Sequence, residues 1–283
     1  MVHLICFPWA GGTSALYKEW TDGIHHSSSS VVNAFHEKRK EVSCSCGPVL
    51  EDSSFHVQSV NYPGRLLRQG DPKLTDMSLL AETLVCEILS NNNQPKNDEE
   101  QSGGECETAD NVRPAVADEE EQDRKIYVLF GHSFGAIVAF EVAKRLEARG
   151  CSVLALFVTA SRPPSASSLA SSDVPVSEMS IEEMQTYFES RGNAIDPQIL
   201  EDSEMTELFL NSVCLDYRCL ESYQANDRTL RCPIFAFGGE LDPGVSKHHV
   251  ESWRNHTSCD DNLFLFKMFQ GQGKLLKISS CII

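Results

Sequence analysis

The sequence predicts a doubly wound α/β fold, a mostly parallel sheet with a helical insertion late in the chain. Three observations predict it. Six short apolar runs, several of them nearly continuous in Val, Ile, Leu and Phe, suit strands buried on both faces of a parallel sheet. Amphipathic stretches separate most of these runs, the alternation expected of β-α-β units. One run, Ile126–Phe130, passes through a five-residue turn rich in glycine straight into an amphipathic stretch, Ala136–Arg149.

Taken in order, the strands are expected at Val2–Phe7, His56–Tyr62, Ile126–Phe130, Val153–Ala160, Pro233–Phe237 and Asn262–Phe269. Helical spacing covers Leu74–Ser90, Ala136–Arg149 and Ser246–Asn255. A single domain over 1–283 accommodates all of them. Two segments break the pattern. Residues 22–54 are rich in Ser, His and Lys, and residues 91–124 are acidic and without aromatics. Neither can bury enough apolar surface to offset its ordering entropy, so both are expected to be polar insertions, the second disordered. Between the fourth and fifth strands, 174–225 holds helical patterns at Ser180–Arg191 and Ser203–Tyr223. That position, on the side where catalytic loops gather, predicts a helical lid.

Composition bounds the function. The net charge is −17, and the stretch from Asp98 to Asp123 carries eleven acids against one base, Arg113. No basic stripe is present to displace counterions, so nucleic-acid binding is not expected. No run of eighteen apolar residues exists, which argues against a membrane-spanning helix. Met1–Pro8 lacks a basic segment and a cleavage site, so no signal peptide is expected. The eleven cysteines show no framework spacing and read as thiols of a reducing compartment, placing the protein in the cytoplasm. Cys44 and Cys46 lack a second pair, so no metal and no cofactor is expected. A monomer is the default expectation.

The chemistry centres on Gly131-His132-Ser133-Phe134-Gly135. Strand, sharp turn and helix with serine at the apex form the nucleophile elbow of an α/β-hydrolase. A serine hydroxyl is a weak nucleophile and needs a base and a stabilised oxyanion. The Phe134 N–H points at the developing oxyanion, and a second donor is expected from Phe7-Pro-Trp-Ala-Gly-Gly12. The supporting acid should follow a later strand. Asp242 in Gly238-Gly-Glu-Leu-Asp242-Pro-Gly-Val245 is the natural candidate and Glu240 the weaker one.

Leu4–Gly12, Tyr62-Pro-Gly-Arg65, Gly131–Gly135, Asp242-Pro-Gly-Val245 and Trp253 together resemble type II thioesterases, the first motif especially their animal fatty-acid-synthase branch, the oleoyl-acyl-carrier-protein hydrolases. Leu200–Met205 and Asp216–Tyr223 are similar to that family's lid, and the likeness spans Val2 to about Gly271 outside the two polar segments. The resemblance implies a serine thioesterase of fatty acid biosynthesis. It would release acyl chains from the phosphopantetheine arm of an acyl carrier protein or fatty acid synthase through an acyl-enzyme on Ser133. It further implies that Asp242 supports a catalytic histidine, that Ala10 and Phe134 supply the oxyanion N–H groups, and that the lid covers an acyl channel.

The chain departs from the family at one place. Where the family carries a Gly-Gly-His-Phe pattern, this sequence reads Phe269-Gln-Gly-Gln-Gly273, so Gly273 stands where the histidine belongs. The tail 273–283 is atypical, and Gln272-Gly273-Lys274 is what a splice donor read through would encode, so a longer product is expected to regain the histidine. No other histidine is a convincing base. His248 and His249 are expected on a helix surface and His256 at the wrong end of the sheet. His132 should pack beneath the helix, and His3, His25, His26, His36 and His56 all precede the elbow. Impaired hydrolysis is therefore expected, with a non-catalytic protein binding acyl chains or carrier protein as the alternative. A general esterase or lipase would share the elbow, but the Pro-Trp-Ala-Gly-Gly and lid motifs count against it.

Overall fold

A computed structural model describes residues 1–23, 55–91, 125–166, 172, 174–191, 195–260 and 263–270. Six strands form one sheet: β1 (Val2–Phe7), β2 (Phe55–Ser59), β3 (Ile126–His132), β4 (Ser152–Thr159), β5 (Ile234–Gly239) and β6 (Leu265–Phe269). Their order is β2-β1-β3-β4-β5-β6, and every pairing among them is parallel. The helices are α1 (Lys18–Gly23), α2 (Met77–Asn91), α3 (Phe134–Ala148), α4 (Ile181–Ser190), α5 (Pro197–Glu201), α6 (Ser203–Glu221) and α7 (Lys247–Ser252). This is the mostly parallel, doubly wound α/β-hydrolase architecture that the sequence predicts.

Strand alternation sorts the core into two layers. Ile5, Phe7, Tyr127, Leu129, Leu156, Val158, Ile234 and Ala236 face α2, α3 and Trp253. The residues between them, Val2, Cys6, Val128, Phe130, Phe157, Phe235 and Phe237, pack on the opposite face with Tyr17 and Trp20. Tyr17 and Trp20 belong to a 3₁₀ turn (Ser14–Tyr17) and α1, which the sequence pattern did not reveal. Both are short, and their apolar face is carried by two aromatics instead of a periodic stripe.

Several boundaries differ from the expected ones for local reasons. β2 ends at Ser59 instead of Tyr62: Val60 still donates to Cys6 O at 2.9 Å, but Pro63 has no N–H and Gly64 turns with φ +73°. α2 begins at Met77, where Asp76 Oδ1 accepts from the Leu79 N–H at 2.8 Å and caps the first turn. β6 begins at Leu265, because Leu263 N–H is tied back to Asp260 O at 2.9 Å. The run expected as one helix over Ser246–Asn255 is α7 followed by a 3₁₀ turn, Trp253–His256, and between the expected helices of 174–225 lies a third, α5. Residues 24–54, 92–124 and 271–283 lie outside the described residues, and with them Cys44, Cys46, His25, His26, His36 and Gly273. No helix among the described residues is long and apolar enough to cross a membrane.

Sheet order positions the site. From β1 the chain runs outward to β2, then crosses back to β3 on the other side, so the direction of winding reverses between β1 and β3. Open α/β sheets gather ligands at that reversal, beyond the carboxyl ends of the strands. Ser133 follows β3 there and Pro8–Gly12 follows β1.

Candidate active site

Ser133 is the strained residue of the elbow. Its backbone sits at φ 53° and ψ −119°, a left-handed conformation that costs a non-glycine residue of order 1–3 kcal/mol. Its surroundings hold it there: the Ser133 N–H donates to Thr159 O at 2.8 Å and its carbonyl accepts from Ala136 N–H at 3.0 Å. The flanking glycines are steric necessities. A Cβ on Gly131 would lie 2.5 Å from Ala136 Cα, and one on Gly135 would lie 2.5 Å from Pro8 O and 2.6 Å from Phe7 C. The second clash shows that the elbow helix is pressed directly against the loop leaving β1. Phe134 opens α3, so its N–H has no partner within the helix.

The loop after β1 is a tight turn in which Gly12 N–H donates to Trp9 O at 2.8 Å and Gly11 takes φ +75°. Buried side chains fix it from both sides. Tyr62 Oη donates to Pro8 O at 2.9 Å and Tyr17 Oη to Phe7 O at 2.9 Å. From the helical insertion, Asp216 Oδ2 accepts from Gly11 N–H at 2.9 Å while its Oδ1 accepts from Arg65 Nε at 2.9 Å. Asp216 is fully buried, and that burial pushes its carboxyl up to about 6 against the downward pull of Arg65 and the Gly11 N–H.

Asp242 follows β5 at the same carboxyl edge of the sheet as Ser133. Its Oδ1 accepts from Gly244 N–H at 2.8 Å and Val245 N–H at 3.1 Å, closing an Asx turn that aims the carboxylate. Burial pushes its carboxyl pKa up from the usual carboxylate range; those two N–H groups and the cations Arg191 and Arg162 pull the other way. Arg162 also donates through Nε to Gly244 O at 2.8 Å. A cavity of about 600 Å³ opens beside the carboxylate, lined by Gly239, Asp242, Val245, Lys247 and Met268. Glu240, the weaker candidate, is solvent-exposed.

None of the described histidines is bonded to Ser133. His132 Nδ1 pairs with Thr159 Oγ1 at 2.7 Å, its ring lies edge-on to Trp9, and burial lowers it to about 4, so it stays neutral. His249 Nδ1 accepts from Ser246 N–H at 3.2 Å as half of a capping box, and His248 is exposed. His256 Nε2 pairs with Ser165 Oγ at 3.0 Å beside a separate cavity of about 750 Å³, and its carbonyl accepts from Leu230 N–H, ahead of β5. His3 packs on His56 and Tyr127 at the opposite, amino-terminal half of the sheet.

The structure thus gathers Ser133, Phe134, Ala10 and Asp242 along one sheet edge. The sequence reading gave no role to Arg65, Asp216 or Thr159. Arg65 and Asp216 lie in the motifs Tyr62-Pro-Gly-Arg65 and Asp216–Tyr223, and a charged residue in an otherwise apolar helix face was the available signal.

Comparison with known proteins bears on the fold and the family. The thioesterase domain family matches residues 107–273, more than half of the chain. The probable cadicidin biosynthesis thioesterase of Streptomyces griseus is 27% identical over 266 residues, 94% of this chain, which spans only 56% of that protein. Thioesterase PikA5 of Streptomyces venezuelae is 27% identical over 259 residues, 91% of this chain and 70% of that protein. Among solved structures, the type II thioesterase BorB from the borrelidin biosynthetic cluster superimposes with a TM-score of 0.63 at 27% identity, covering 99% of this chain and 89% of that one. An elbow serine at the winding reversal of a parallel sheet and a family match running through that elbow lead to one conclusion: the chain belongs to the thioesterase family.

Proposed function

We propose that this chain is a type II serine thioesterase by descent, hydrolysing acyl thioesters held on the phosphopantetheine arm of a carrier protein. The observation that carries the reading is Ser133 itself, held at φ 53° between two glycines that admit no Cβ. In this reading Ser133 Oγ attacks the thioester carbonyl, the N–H groups of Phe134 and Ala10 receive the oxyanion, and the thiol departs to leave an acyl-enzyme that water cleaves. Asp242 is the acid of the site. α4–α6 act as the lid of a single hydrolase domain, over an apolar acyl channel. The likeness of Leu4–Gly12 to the animal branch supports fatty acyl chains on an acyl carrier protein or fatty acid synthase as the substrate. The relatives bear names from antibiotic-type biosynthetic clusters, and acyl groups on those carriers are the competing substrate class. The protein is read as a cytoplasmic monomer.

In sequence, Gly273 stands where the family carries its base, and turnover is expected to be correspondingly slow. Removing the base from a serine hydrolase costs on the order of 10⁶ in kcat. Set against an ordinary kcat of about 10 s⁻¹, the chain should turn over at roughly 10⁻⁵ s⁻¹, about once a day. The test is hydrolysis of decanoyl- and palmitoyl-pantetheine by the chain, by Ser133→Ala, and by a Gly273→His version extended with the family's final helix. Slow Ser133-dependent hydrolysis, accelerated by several orders of magnitude in the extended version, supports the reading. Turnover indifferent to Ser133 refutes it.

One observation favours a second reading, a non-catalytic protein that binds acyl chains or carrier protein: every described histidine is exposed, engaged with a partner other than Ser133, or distant from the sheet's carboxyl edge. Saturable decanoyl binding with no covalent adduct on Ser133, even in the extended version, would select it.

A further inference from the structure

We propose that Asp216, carried on α6 of the helical insertion, is a positioning residue that holds the Trp9–Gly12 turn in register with Ser133, so that the insertion's seated position completes the oxyanion site. The inference rests on the reading of Ala10 N–H as an oxyanion donor.

Ala10 lies between two anchored backbone groups. On its amino-terminal side Pro8 O is held by Tyr62 Oη, a residue of the sheet domain. On its carboxyl side Gly11 N–H is held by Asp216 Oδ2, a residue of the insertion 205 positions away in sequence. The peptide plane that aims the Ala10 N–H is therefore fixed jointly by the sheet and by α6. Gly11 permits the approach: a Cβ there would meet Val213 Cγ2 at 2.6 Å and Phe209 Cε2 at 2.9 Å, both on α6. A second connection runs beside the first, since Leu66 N–H donates to Ser212 Oγ at 3.1 Å, one helical turn before Asp216. Arg65 supplies the countercharge and is itself fixed, donating through Nη1 to Pro63 O at 2.7 Å.

The pair is a poor device for stability alone. Burying two charges costs several kcal/mol per ion, and apolar replacement of such pairs is often neutral or stabilising. What the pair adds is direction. A carboxylate bridging a guanidinium and a single backbone N–H tolerates little displacement of α6 before the Gly11 bond is lost.

The experiment compares wild type with Asp216→Asn in two readouts: hydrogen exchange of the Gly11 amide, and acylation of Ser133 by decanoyl p-nitrophenyl ester followed as the nitrophenolate burst. In the variant the Gly11 amide should exchange at least tenfold faster while amides of α2 and α3 keep their protection. The acylation rate constant should fall tenfold or more with the half-saturating ester concentration unchanged. Unchanged Gly11 exchange, or unchanged acylation in the presence of wild-type acylation, overturns the inference. Wild type that never acylates overturns the thioesterase reading instead, and the inference falls with it, even where Gly11 exchange responds. Should Asp216→Asn fail to fold, Arg65→Lys keeps the countercharge but loses the contact to Pro63 O. It should raise Gly11 exchange at least threefold, and no rise overturns the inference.

Discussion

Substituting alanine at Gly135 tests the elbow as a steric device, independently of any reaction. The new Cβ would stand 2.5 Å from Pro8 O and 2.6 Å from Phe7 C, where ordinary contact begins near 3.4 Å. Helix α3 and the loop after β1 must then separate by about 1 Å. Both sides are backbone, so no rotamer change relieves the clash. Overpacking of this kind costs about 1–3 kcal/mol, and a backbone-on-backbone clash belongs at the upper end. Alanine recovers about 1 kcal/mol of helix propensity at this position in α3, which leaves a net loss of about 2 kcal/mol. For a chain of this size that is a fall in Tm of about 4–8 °C. Circular dichroism melting reads it directly. Gly70 is the control, because a Cβ there meets nothing within 4 Å, and Gly70→Ala should leave Tm unchanged or slightly raised. A Gly135→Ala Tm within about 1 °C of wild type would refute the steric argument.

Other predictions follow from single contacts. Thr159→Val removes the hydroxyl that pairs with His132 Nδ1 at 2.7 Å and leaves that nitrogen unpaired. It should lower the stability read from urea unfolding by about 1–3 kcal/mol, and no loss would contradict the assigned pairing. His132 and His256 are both lowered from 6.5 to about 4, so their contribution is present above pH 6.5 and lost as pH falls toward 4. Asp216 works in the opposite sense: raised from 3.8 to about 6, its contribution is full below pH 3.8 and lost as pH rises through 6. Asp216→Asn removes this offset, so its urea midpoint should fall more steeply than wild type between pH 6 and 4, and parallel curves would contradict the assigned shift.

The sequence made legible what repeats a pattern. Six apolar runs at helix-separated spacing led to the parallel sheet, and Gly131–Gly135 led to the elbow, because a turn that excludes Cβ atoms leaves glycine as its only solution. Ser133, Ala10 and Asp242 follow strand carboxyl ends and Phe134 opens the helix after one, the edge where topology places a site, while the role of Ala10 came from the family resemblance. What stayed hidden depends on contacts remote in sequence. Asp216 reads as one polar residue in an amphipathic helix until α6 is seen against Gly11, 205 positions earlier. The 3₁₀ turn and α1 were missed because one aromatic in each, Tyr17 and Trp20, and not a periodic stripe, carries their packing. The engagement of His132 with Thr159 was equally invisible, since β3 and β4 residues meet only through sheet register.

The most direct test of the account is intact-protein mass spectrometry after prolonged incubation with excess decanoyl-pantetheine, on wild type and Ser133→Ala. The account predicts that wild type gains one decanoyl group, mapped to the peptide containing Ser133, and that Ser133→Ala gains none. No adduct on wild type, or the same adduct on both proteins, would contradict Ser133 as the nucleophile.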